Sequence, residues 1–158
     1  MCHVLLKTIL WTYLILAKLL MRGGNMLVLI DQLMKEHAEI FADLTEANNL
    51  GIITEDGQSK LFSAKADLLV HLKNEDEHLY PVLRKEAENN KNLESILNSF
   101  SCEMEDISKS VMKFIDKYST GVLDSKYVES FELIFATLSE RMKKEESVIF
   151  AEYKKINQ

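Results

Sequence analysis

His71, Glu75 and His78 stand four and three residues apart in the run His71-Leu72-Lys73-Asn74-Glu75-Asp76-Glu77-His78. On a helix this spacing sets the three side chains along one stripe. The stripe continues back through Leu68, Ala64 and Leu61 and forward to Val82. A core-facing stripe therefore carries two imidazoles and a carboxylate. Ionisable groups are costly there unless they are paired or bound to a metal. Neutral imidazole and carboxylate are donors that suit non-haem iron or manganese. Glu75-x-x-His78 is also a pairing used in di-iron bundles, but the chain has no second Glu-x-x-His. Three residues before Pro81, His78 is expected to be partly exposed.

Other seams repeat the exchange of apolar residues for polar ones. His37 sits in the series Ile30, Leu33, His37, Ile40, Leu44, where it reads equally as a satisfied core histidine or a ligand. Glu103 lies between Phe100 and Ile107 in the stripe Ile96, Phe100, Met104, Ile107, Val111, Phe114, Tyr118. Arg141 and Glu145 interrupt Phe131, Ile134, Leu138 and Val148. Two arrangements satisfy these groups. In one, two histidines and a carboxylate anchor a cation. In the other, a metal-free polar core pairs Arg141 with Glu75, Glu145 or Glu103. Arg141 favours the second, because it brings a fixed positive charge to where a dication would sit. The three glutamates favour the first, since their mutual repulsion calls for a proton or a cation. Tyr80 and Phe150 are expected simply to close the core.

The elements that must position these groups are long helices. The periodicity predicts one from Asn25 to about Asn48, closed by Asn48-Asn49-Leu50-Gly51. Thr54 with Glu55 and Asp56 supplies a cap and an acidic first turn for a second, over about 55–80, which Pro81 interrupts or kinks before it resumes to Ala87. A loop at Asn89–Asn92 precedes a third helix over 93–118, and Ser119-Thr120-Gly121 separates it from a fourth over 125–155. Short connections force antiparallel neighbours, so the expected fold is all-α: an up-down antiparallel four-helix bundle. His71-x-x-x-Glu75 and Arg141-x-x-x-Glu145 occupy matching places in the second and fourth helices, which hints at a duplicated hairpin and a shared level for the ionic positions.

The 158 residues allow one domain with a substantial core. A formal charge of -6 with interspersed signs offers no basic face, which argues against nucleic acid as a partner. Cys2 and Cys102 fit neither a disulfide framework nor a structural zinc site, so a reducing cytoplasm is the expected location. No nucleophile constellation or glycine-rich phosphate loop appears, and no enzymatic activity is expected.

Residues 4–21 are apolar nearly all round, broken by Lys7 and Lys18 and followed by Gly23-Gly24. Three readings fit. They are an additional N-terminal helix packed on the domain, a membrane anchor at the lower limit of length for a bilayer, or a stretch preceding a domain that opens at Met26. In each case residues 1–24 form a unit apart from a bundle over 25–158, and a membrane-anchored location follows only from the second.

Glu36-His37-x-x-Ile40, then His71-x-x-x-Glu75-Asp76 leading to Leu79-Tyr80-Pro81, resembles the hemerythrin-like (HHE cation-binding) domains over about residues 26–155. The resemblance implies a non-haem iron centre, di-iron or a single ion, inside the bundle. It implies a role in oxygen binding, iron handling, or oxygen and redox sensing, with dioxygen or another small diatomic molecule as ligand. His37, His71 and Glu75 fall on family ligand positions. The second half departs from the pattern: Phe100 and Met104 stand where the third helix carries histidine, and Arg141 stands where the fourth does. Glu145, or Glu146 with one residue of slippage, keeps the carboxylate. A five-histidine oxygen-carrier centre is thereby excluded. A carboxylate-rich iron site is expected, with Glu103 and Glu145 as further ligands and Arg141 as a nearby charge. The alternative is a metal-free regulatory or protein-interaction module with a buried Arg–Glu–His network.

Overall fold

A computed structural model describes residues 28–157. Residues 4–21 and the Gly23-Gly24 linker lie outside the described residues. The described chain is all-helical: α1 (28–50), α2 (Glu55–Asn74), a π-helical turn (Glu75–Leu79), α3 (Tyr80–Ala87), α4 (Lys91–Tyr118) and α5 (Tyr127–Ile156). No helix among the described residues is long and apolar enough to cross a membrane.

Local chemistry sets the ends. Gly51 takes the left-handed conformation (φ 81°) and donates to the Ala47 carbonyl, terminating α1. Thr54 is extended (φ -93°, ψ 151°), and its hydroxyl oxygen accepts from the Gly57 N–H at 3.0 Å, capping α2. Asn90 does the same for α4 through the Leu93 N–H. Gly57 is needed because a Cβ there would run into the Gly51 carbonyl. Helix propensity alone favours alanine over glycine by about 0.8–1.0 kcal/mol. The collision reverses that sign, and Gly57→Ala is expected to lower stability by about 1–3 kcal/mol, seen as a lower melting temperature. A variant more stable than wild type would contradict this tight turn.

Pro81 does not break the second rod. The helix widens instead: over Glu75–Leu79 it takes π geometry, the Tyr80 N–H reaches back to the Glu75 carbonyl, and Pro81 falls in the first turn of α3. The widening also resets the buried face. Buried residues follow 3/4 spacing through Leu61, Ala64, Leu68 and His71, then step by four through Glu75, Leu79, Leu83 and Ala87. On a regular α-helix each four-residue step drifts by about 40°. The extra residue of the π turn absorbs that drift. As a result His78 points to solvent, in keeping with its place before Pro81, and Val82 is only half-buried, off the stripe expected of it.

Four rods (α1, α2 with its continuation through α3, α4 and α5) enclose a core in two apolar layers. One joins the end of α1, the start of α2, the end of α4 and the start of α5, through Leu44, Leu61, Phe114, Tyr118 and Leu138. The other joins the start of α1, α3, the start of α4 and the end of α5, through Leu33, Leu83, Leu97 and Phe150. Starts meet ends in each layer, so neighbouring rods alternate in direction. Between the layers lie His37, His71, Glu75, Arg141 and Glu145, all buried.

Candidate metal centre

Each rod except α4 contributes to this polar layer. His37 comes from the middle of α1, His71 from the last turn of α2, Glu75 from the first residue of the π turn, and Glu145 from α5. One ligand atom from each of the four lies within 4.8 Å of the others. Nε2 of His37 is 3.1 Å from Nε2 of His71. Glu75 Oε1 is 3.5 Å from His71 Nε2, and Glu145 Oε2 is 3.9 Å from His37 Nε2.

The outward nitrogens fix the state of the inward ones. His37 Nδ1 is 2.8 Å from Glu146 Oε1, and His71 Nδ1 is 3.0 Å from Glu36 Oε2. A carboxylate accepts, so each Nδ1 donates and each neutral ring turns its Nε2 lone pair inward. Glu36 is itself held by the side-chain amides of Asn74 (2.6 Å) and Gln32 (2.9 Å). The His37 ring lies against Phe150 in a near-parallel stack at 5.7 Å, which limits its rotation.

The centre of the layer is therefore a convergence of acceptors. Two nitrogen lone pairs at 3.1 Å repel unless something positive stands between them. Burial, followed by the nearby His37, pushes the His71 imidazole below its ordinary range, so taking up a proton there is disfavoured. Burial, followed by the charge of Glu145, pushes the Glu75 carboxyl well above its ordinary range. Glu75 Oε1 has no hydrogen-bond partner among the described residues. A cation satisfies these groups together. Two imidazoles with two carboxylates form a donor set that iron or manganese accepts.

Arg141 is buried beside this set. Its Nη2 donates to Glu145 Oε1 at 3.3 Å, and its guanidinium lies over the Phe100 ring at 4.2 Å. The Tyr80 hydroxyl donates to the same Glu145 oxygen at 3.0 Å. Tyr80 is thus more than core closure. Burial and the neighbouring Glu145 raise its phenol, keeping it a donor.

Glu103 departs from expectation. Both its oxygens accept from Lys144, at 2.8 and 2.9 Å, on a partly exposed edge between α4 and α5. Between Phe100 and Val111, α4 buries no side chain, so Glu103 has no inward path and the paired lysine offers it a solvated alternative. Met104 is half-buried and lines, with Glu75 and Tyr80, a groove of ≈ 260 Å³ between α3 and α4. Sequence reasoning gave no role to Glu36 and treated Glu146 as a substitute for Glu145. The structure uses Glu145 inward and Glu146 against His37 Nδ1. The available signal for Glu36 was its place beside His37 in the sequence.

Comparison with curated proteins and with solved structures gave no match. The family model for the hemerythrin HHE cation-binding domain matches residues 28–153, which takes in all four rods and every residue of the polar layer. The chain belongs to the hemerythrin HHE cation-binding domain family.

Proposed function

We propose that this chain is a non-haem iron protein of up-down four-helix bundle form, holding its metal through His37, His71, Glu75 and Glu145. The observation that carries the reading is the convergence of four buried ligand atoms within 4.8 Å, with both imidazoles oriented by outer carboxylates. Iron bound there would supply redox chemistry and affinity for dioxygen or another small diatomic ligand. The chain's own part is to fix both imidazole tautomers, keep the Tyr80 hydroxyl donating to Glu145 and hold water away with the apolar layers above and below. The groove at Glu75 and Met104 offers a small molecule an approach from α4's side, where no ligand side chain stands. The role that follows is binding rather than catalysis: sensing oxygen or redox state, or handling iron, in the cytoplasm.

Metal content tests this directly. Protein purified from iron-supplemented cells should carry stoichiometric iron, and a chelator should lower its melting temperature. Metal-free protein whose melting ignores the chelator would sink the reading. Glu36→Gln should weaken metal binding by roughly 10–100-fold while leaving the helices intact, since it loosens the orientation of His71 without touching a ligand. Unchanged affinity in that variant would remove the outer carboxylate from the account.

One observation favours a second reading. Arg141 and Glu145 already form a buried ion pair, the core of a metal-free Arg–Glu–His network serving a protein-interaction module. In that case iron content is nil and the layer contributes only to the specificity of folding.

A further inference from the structure

The two oxygens of Glu145 face different things. Oε2 faces His37 and the ligand cluster, while Oε1 accepts from both Arg141 Nη2 at 3.3 Å and the Tyr80 hydroxyl at 3.0 Å. The carboxylate is thus placed as a bridge between the cluster on one side and a guanidinium on the other. Arg141 is 3 % exposed, and its Nε and Nη1 have no hydrogen-bond partner among the described residues. A buried arginine is ordinarily held by a carboxylate fork that uses several of its donors. This one is held by a single oxygen and the face of Phe100. Its position is set by charge and packing more than by hydrogen bonding. A second metal ion sharing Glu145 would have to displace two donors from Oε1 and sit against a charge that cannot be titrated away. The α4 residues opposite, Phe100 and Met104, have no donor to offer such an ion beyond a weak thioether.

We propose that the cluster holds one divalent ion and that Arg141 is the fixed cation standing in the place of a second. The inference rests on the metal reading above and adds the number of ions and the residue that limits it. A single ion in this setting has one carboxylate, Glu145, shared with Arg141, and the other, Glu75, to itself.

The test is a count of ions on the full chain, loaded with Mn(II), by mass spectrometric metal analysis and electron paramagnetic resonance. Wild type should take one Mn(II) per chain and show the resolved hyperfine pattern of an isolated ion. Arg141→Lys, which keeps the charge, should also take one. Arg141→His, which replaces the charge with a neutral donor, should take two and show the broadened signal of a coupled pair. Two ions in wild type, or a coupled spectrum, would overturn the proposal while leaving the metal reading intact. A folded Arg141→His that still takes one ion would overturn the assignment of the limit to Arg141. No Mn(II) on wild type would defeat the metal reading itself, and this inference with it. Wild-type stoichiometry tests the number of ions even if a variant fails to fold.

Discussion

His71→Ala will cost the protein its metal, with an affinity loss beyond the roughly 10–100-fold expected of changes outside the ligand set. His71 supplies an inward nitrogen 3.1 Å from that of His37, and its outward nitrogen is the anchor for Glu36. Removing the ring deletes a ligand and leaves a buried gap with partly unpaired neighbours, which also costs about 1–3 kcal/mol of stability. The two losses separate experimentally. Bound metal at about 100 times its dissociation constant stabilises the fold by about 2.7 kcal/mol. The melting gap between wild type and His71→Ala should therefore be wide in metal-loaded samples and shrink in chelator. A gap that is the same in both conditions would mean that His71 serves only the packing of the core.

Glu75→Gln should change sign between the metal-free and the metal-bound protein. Burial and Glu145 hold the folded Glu75 carboxyl above its ordinary value of 4.5. Its contribution to stability is therefore complete below that value and lost as pH rises through the raised folded one. The buried His71 runs the other way: its contribution is complete above 6.5 and is lost as pH falls through its lowered folded value. Without metal, wild type is squeezed from both sides. Glu75→Gln relieves the alkaline side, because an amide can donate to Glu145 and carries no charge to bury. Metal-free Glu75→Gln should gain roughly 1–4 kcal/mol at pH 8 over metal-free wild type, the range seen when buried ionic groups are made neutral. With metal present the order reverses, since wild type keeps a ligand that the variant lacks. Equilibrium denaturation at pH 6 and pH 8, with and without Mn(II), would show the crossing. A variant less stable than wild type at pH 8 in chelator would contradict the buried-charge argument.

Much of this was legible from residue order, and the limits were physical. The apolar periodicity located all four rods to within a few residues, and Thr54 and Gly51 marked the turn between the first two. His37, His71, Glu75 and Glu145 were legible because each replaces an apolar residue on a stripe that otherwise faces the core. Glu103 looked similar, but a carboxylate at the edge of a stripe has a choice that one at its centre lacks. Lys144, on another helix, gave it a partner at the surface, and no local pattern reveals a contact between residues that far apart. His78, three residues before Pro81, reads as partly exposed and is exposed, whereas Val82 was placed on the buried stripe because one helical pitch was carried through Pro81. The run of buried positions at Glu75, Leu79, Leu83 and Ala87, each four apart, was the available sign that the helix widens. The outer carboxylates Glu36 and Glu146 were hidden by their half-exposed positions, which resemble any solvated helix face until the imidazole behind them is seen.

The most direct test of the central claim is the location of iron by anomalous diffraction at its absorption edge, from crystals of the protein grown with Fe(II) under anaerobic conditions. The account predicts anomalous density between Nε2 of His37 and Nε2 of His71, within bonding distance of both and of the Glu75 and Glu145 carboxylates. Crystals in which that space carries no anomalous density, and the two imidazoles instead share a proton across their 3.1 Å separation, would contradict it.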